Sequence, residues 1–225
     1  MVGVEQIATA VRRFGIEGAR ALGHAPLGGR QLEQLLMSIP YKDRDVFVDE
    51  LLGFDAPPAD VRDLPRGAVP YLPSGVEEIL AMVREAPILP HDEFVDLGSG
   101  VGRVVILAHL LSRARSSGIE IQGPLVDLAE MRGAELGLSE VSFLHANAAE
   151  TDLDGSIFFL YAPFNGDMLA RALRRIEQVA QRRPIIVCTV GLELSHVRWL
   201  SSRPSTCVSL NLYDSSKRRS VLDNR

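Results

Sequence analysis

A carboxylate, Asp96, stands two residues ahead of three alternating glycines, Gly98, Gly100 and Gly102, in the stretch Phe-Val-Asp-Leu-Gly-Ser-Gly-Val-Gly-Arg at 94–103. Glycines in such a turn let the backbone bend tightly and approach a ligand that a Cβ would hold off. The acid decides which ligand. A pyrophosphate cradle wants free N–H groups at a helix start and no fixed carboxylate beside them. The dinucleotide fingerprint also spaces its glycines G-x-G-x-x-G, whereas this loop reads G-x-G-x-G around Ser99. Asp96 repels a pyrophosphate and suits a cation. A second acid, Glu120, follows Gly98 by 22 residues, and at a strand exit it can accept paired hydrogen bonds from ribose hydroxyls.

The flanking pattern supplies the elements that would hold these groups. Phe94, Val95 and Leu97 form a short apolar run, and Val104 to Leu111 forms an apolar helical one. Strand, glycine turn and helix open a nucleotide-binding α/β unit. Downstream the alternation continues: strands over 118–121, 141–144, 156–161, 185–190 and 206–213, a further strand over 218–222, and helices over 124–137, 166–181 and 192–200. Such alternation with short links predicts a mostly parallel sheet covered on both faces. Upstream, apolar spacing predicts helices over 2–14, 30–38 and 43–52, with a loop over 15–29. A connector over 54–73 carries five prolines. Ser74-Gly75-Val76-Glu77 reads as a capping box opening a helix to about 85.

The expected fold class is therefore α/β, a doubly wound, mostly parallel, seven-stranded sheet with an N-terminal helical segment. The boundary falls near Pro70, separating a helical cap and connector (1–70) from the ligand-binding core (71–225). A net charge of −5 argues against broad nucleic-acid or anionic-membrane binding. No apolar run approaches the ~18 residues needed to span a bilayer. Cys188 and Cys207 read as reduced thiols of a cytoplasmic protein, and no cysteine or histidine cluster points to a metal.

Asp-Leu-Gly-Ser-Gly-Val-Gly at 96–102 resembles motif I of the class I S-adenosylmethionine-dependent methyltransferases, and within them most resembles the non-SET histone and protein lysine methyltransferases. That cofactor carries an ammonium and a sulfonium and no phosphate, which fits Asp96. The resemblance spans about 71–213 and implies a Rossmann-like fold and S-adenosyl-L-methionine as cofactor. It implies cofactor-binding roles for Tyr71, Asp96, Gly98, Ser99, Gly100, Gly102, Glu120 and Asn147. Tyr161, Pro163 and Phe164, at the position of motif IV, would wall the methyl-transfer pocket.

Tyr161-Ala162-Pro163-Phe164 departs from the Asp/Asn-Pro-Pro-aromatic form of nucleic-acid amino methylation and from the asparagine-rich form of the histone enzymes. The implied activity is thus methyl transfer to an acceptor the sequence leaves open, a protein lysine amine slightly ahead of a small-molecule metabolite. A cofactor-binding scaffold without catalysis is the alternative, and the glycine spacing and Asp96 argue against a nicotinamide oxidoreductase. The helices of residues 1–70 are the expected acceptor-selecting cap.

Overall fold

The computed structural model describes residues 29–54 and 56–216. The helix expected over 2–14, nearly all of the loop over 15–29, the basic run Lys217-Arg218-Arg219 and the strand expected over 218–222 lie outside the described residues.

Two helices, α1 (Arg30–Ser38) and α2 (Arg44–Leu52), come first, joined by a 3₁₀ turn at Tyr41–Asp43. After the proline-rich connector come α3 (Val76–Glu85), β1 (Glu93–Leu97), α4 (Arg103–Ser112), β2 (Arg115–Glu120), α5 (Gly123–Glu135), β3 (Val141–His145), β4 (Ile157–Tyr161), α6 (Gly166–Ala180), β5 (Ile186–Val190), β6 (Leu200–Arg203) and β7 (Leu210–Ser215). The seven strands form one sheet in the order β3-β2-β1-β4-β5-β7-β6. β1 to β5 pair in parallel, while β7 runs antiparallel to both β5 and β6. The order reverses between β1 and β4, and ligands of open α/β sheets bind beyond the strand ends at such a switch.

Composition explains which element goes where. Every residue of α4 is buried, and its sequence is apolar almost all round, as a helix enclosed by neighbours must be. α6 is amphipathic and buries Met168, Ala172, Ile176 and Val179, with Leu169 and Leu173 on the flank of that face. One buried cluster joins Leu32, Leu36, Val48 and Leu52 of α1 and α2 to Ile79 of α3 and Ile106 of α4. The N-terminal helices thus share a core with the sheet layer they cover.

Three expectations are corrected. The segment 192–200 forms turns rather than a helix. There Leu194 donates its N–H to Tyr213 Oη at 2.8 Å, and the Leu192 carbonyl accepts from Thr189 Oγ1 and Asn211 Nδ2, so partners from β5 and β7 replace helical hydrogen bonds. The sixth strand is Leu200–Arg203, and the strand expected over 206–213 begins later, at Leu210, as the seventh. The capping box at Ser74–Glu77 does not form: Glu77 pairs with Arg44 of α2, and Asp45 of α2 accepts the Val76 N–H at 2.8 Å. A side chain from another helix caps α3 instead, a tertiary solution that a local motif cannot anticipate.

Candidate functional site

The glycine loop is anchored before it reaches any ligand. Gly98 and Ser99 donate their N–H groups to the Ile119 carbonyl at 2.8 and 3.2 Å, which ties the loop to the end of β2. Gly98 and Gly100 both adopt positive φ, 86° and 54°, a region open to glycine. Each also faces a side chain that leaves no room for a Cβ: Pro163 over Gly98 and the Tyr71 ring over Gly100. Gly102 faces Phe143 and Ala129 in the core, so its smallness serves helix–sheet packing.

A cleft of about 900 Å³, including open solvent at its mouth, lies at the switch point between β1 and β4. Tyr71, Asp96, Gly98, Ser99, Glu120, Asn147, Tyr161, Pro163 and Phe164 all line it; Gly100 and Gly102 lie behind that lining. Among the described residues, those lining the cleft begin at Ala68 of the connector, so α1 and α2 contribute no wall.

On the β1–β3 side the lining carries the cleft's charged and amide side chains, Asp96, Arg103, Glu120, Gln122 and Asn147, set among Val104, Ile119 and Ile121. Asp96 is 2% exposed and accepts no hydrogen bond among the described residues. Burial, reinforced by the nearby Glu120 charge, pushes its carboxyl well above the usual range. Glu120 accepts the Gly100 N–H at one oxygen and the Gln122 N–H at the other, both at 2.9 Å. Each carboxylate oxygen keeps a further lone pair for a ligand. Ser99 Oγ and Arg103 Nε are buried without a hydrogen-bond partner, and both residues line the cleft. Unpartnered buried polar atoms are rare and costly; here Ser99 Oγ is packed against Gly118 of β2, and both atoms lie beneath the cleft surface. Asn147 Oδ1 accepts the Ala149 N–H at 3.0 Å, which closes a turn and leaves the Asn147 amide nitrogen at the rim.

On the β4 side the lining is Tyr161, Ala162, Pro163, Phe164 and Met168. Ala162 holds φ at 39°, a left-handed conformation that a residue with a Cβ adopts only under structural compulsion. The compulsion comes from both sides, since Pro163 packs on Gly98 and its carbonyl accepts the Val69 N–H at 3.0 Å. Phe164 is buried in the cluster beneath α6 and forms an isolated antiparallel bridge with Ala68.

Tyr71 sits between the two sides. Burial pushes its phenol up to about 12, opposed by the Arg103 guanidinium and reinforced by Asp49, Asp96 and Glu120, so it remains a neutral hydroxyl.

Arg103, Asp60 and Gln122 were not singled out from sequence. Arg103 follows the last glycine and reaches back to the Ser74 carbonyl at 2.9 Å and to Asp45 and Asp49 of α2. The available signal was a lone arginine opening an otherwise apolar helix, which an apolar environment tolerates only when paired. His109 and His145 bond backbone carbonyls, of Ala114 and Ile121. Trp199 packs on the edge of the α6 cluster.

Residues 74–158 match the family model of the histone methylation protein DOT1. An RNA methyltransferase from Salinibacter ruber, solved with S-adenosyl-L-homocysteine, superposes with a TM-score of 0.53 at 25% identity over 65% of this chain and 94% of its own. The putative methyltransferase YhhF from Escherichia coli gives 0.53 at 15% identity over 69% and 91%. A putative S-adenosyl-L-methionine-dependent methyltransferase from Methanococcus maripaludis gives 0.50 at 12% identity over 62% and 84%. Among curated proteins no sequence match was found. The chain has the fold of the class I methyltransferases, and its glycine loop falls inside the matched methyltransferase family model.

Proposed function

We propose that this protein is an S-adenosyl-L-methionine-dependent methyltransferase whose cofactor occupies the polar side of the cleft and whose acceptor enters on the apolar side. The observation that carries the reading is one cleft lined by two acids at adjacent strand ends, Asp96, which accepts no hydrogen bond among the described residues, and Glu120, with the glycine loop between them. Asp96 would pair with the ammonium of an amino-acid moiety. Glu120 would hold the ribose hydroxyls and Asn147 the edge of the adenine. Tyr71, packed on Gly100, would close the methionine end.

When bound, the cofactor supplies an electrophilic methyl on a sulfonium, so alignment supplies much of the rate. The protein's task is to hold both partners and exclude water. Tyr161, Pro163 and Phe164 would form the wall against which the acceptor aligns, and Ala162 stores the strain that fixes it. Among the described residues that wall contains no carboxylate or imidazole. An amine acceptor would therefore reach its neutral, nucleophilic form through desolvation, which lowers an ammonium pKa.

The acceptor favoured by this wall is the alkyl amine of a protein lysine, its cation first held over the Tyr161 and Phe164 rings. A small-molecule amine is the second reading, favoured by the connector, which bonds to both flanks of the cleft through Gln122 and Pro163.

The test is methyl incorporation from radiolabelled S-adenosyl-L-methionine into protein, RNA and small-molecule fractions of a lysate. Label in the protein fraction supports the lysine reading. Label in the small-molecule fraction supports the second, and label in RNA overturns both acceptors. No label in any fraction, with the cofactor bound, points to the non-catalytic scaffold.

A further inference from the structure

Five residues close a ring around the mouth of the cleft. Gln122, 2% exposed, donates its N–H to Glu120 at 2.9 Å. Its side-chain Nε2 donates to Asp60 Oδ1 at 2.8 Å, and its Oε1 accepts the Val61 N–H at 2.9 Å. The same Asp60 oxygen accepts the Tyr71 N–H at 2.8 Å. The Tyr71 ring lies on Gly100, and the Gly100 N–H returns to Glu120 at 2.9 Å.

The connector therefore rests on one buried amide at the Gln122 end. At the other end it is bonded to motif IV, through Val69 N–H to the Pro163 carbonyl at 3.0 Å and Asn165 N–H to the Gly67 carbonyl at 2.8 Å.

The geometry points to Gln122, acting through Asp60, as a positioning residue for methyl transfer: it latches the connector across the cleft and thereby sets Tyr71 and the strip Ala68–Val69. This rests on the cofactor reading above, because Glu120 belongs to both the ring and the ribose site. A ligand on Glu120 then steadies the segment that forms the acceptor's roof, so the cofactor binds first and the roof is completed by its binding. Nothing of the latch is readable as a motif, since Asp60 and Gln122 lie 62 residues apart.

The test uses the full chain and amide hydrogen exchange. Gln122→Glu keeps the shape but sets a carboxylate against Asp60. The Val61 and Tyr71 amides should exchange about tenfold faster, and S-adenosyl-L-homocysteine should bind about tenfold more weakly, the loss of one hydrogen bond to a charged group. Amides of β1 and β5 should be unchanged. Asp60→Asn keeps one carbonyl oxygen for both the Gln122 amide and the Tyr71 N–H and loses only the charge, so it should shift both readouts less than Gln122→Glu does.

Unchanged Val61 and Tyr71 exchange in the single variant overturns the latch. So does faster exchange in β1 and β5, an Asp60→Asn effect as large as that of Gln122→Glu, or a loosened connector with undiminished affinity. If the wild type binds no S-adenosyl-L-homocysteine, the cofactor reading has failed, and the exchange data still report separately on whether Gln122 holds the connector.

Discussion

On the β1–β3 side of the cleft, Asp96, Ser99 and Arg103 are buried with polar atoms left over. On the β4 side, Pro163 and Phe164 are packed, bridged and hydrogen-bonded to the connector, and the strain sits in the backbone at Ala162. The first side leaves polar groups unsatisfied, which is what supports the proposed cofactor site. The second is complete as it stands and describes only a surface. The proposed cofactor is read from charge left unsatisfied, the proposed acceptor from the shape and aromatic character of a packed wall.

The largest expected effect comes from filling the seam between the two sides. Gly100→Ala drives a methyl into the Tyr71 ring at a positive φ and should weaken S-adenosyl-L-homocysteine binding by more than about 100-fold in calorimetry, through strain and overpacking of roughly 1–3 kcal/mol each. Gly102→Ala should behave differently. Its clash is with Phe143 in the core, so it should lower the thermal midpoint, and affinity measured well below that midpoint should change little.

Asp96→Asn should weaken binding roughly 100-fold, the upper range for a charge-assisted hydrogen bond, yet stabilise the unliganded protein. The sign follows from linkage. Asp96 has its folded pKa raised above 3.8, so the native state holds the proton more tightly than the unfolded chain. That stability is fully present below the ordinary carboxyl pKa and is lost as pH rises through the raised value. Thermal midpoints measured against pH should therefore fall for wild type across this window and fall less for Asp96→Asn. Parallel curves for the two proteins would remove Asp96 from the account.

Glu120→Ala should weaken binding roughly 30-fold and also free the Gly100 and Gln122 N–H groups. The smallest effect is expected for Tyr161→Phe, which keeps the ring of the wall. Cofactor affinity should stay within about threefold, and any change should appear in turnover with acceptor. A large loss of cofactor affinity there would erase the distinction between the two sides.

The same asymmetry governs what the sequence revealed. The parallel core was legible because β4 and β5 are buried on both faces and read as near-continuous apolar runs, while β1 presents Phe94, Val95 and Leu97 around Asp96. The positions of Asp96 and Glu120 in the cleft were legible because each lies at a strand end of the alternating pattern. The edge of the sheet was not: β6 reads Leu-Ser-Ser-Arg, too short and polar to announce a strand, and Tyr213 withdrew the preceding segment from a helix by accepting the Leu194 N–H. Arg103, Asp60 and Gln122 escaped notice because each acts through partners 11 to 62 residues away, a distance over which spacing carries no signal.

The most direct test of the central claim is calorimetric titration of S-adenosyl-L-homocysteine into wild type and Asp96→Asn, in buffers of different ionisation enthalpy, at a pH below the raised Asp96 pKa. Pairing with the ligand's ammonium requires the Asp96 carboxylate. Wild type should therefore bind with release of a proton, and Asp96→Asn should bind weakly with none. Equal proton release from both proteins, or no binding by wild type, would contradict the assignment of this cleft.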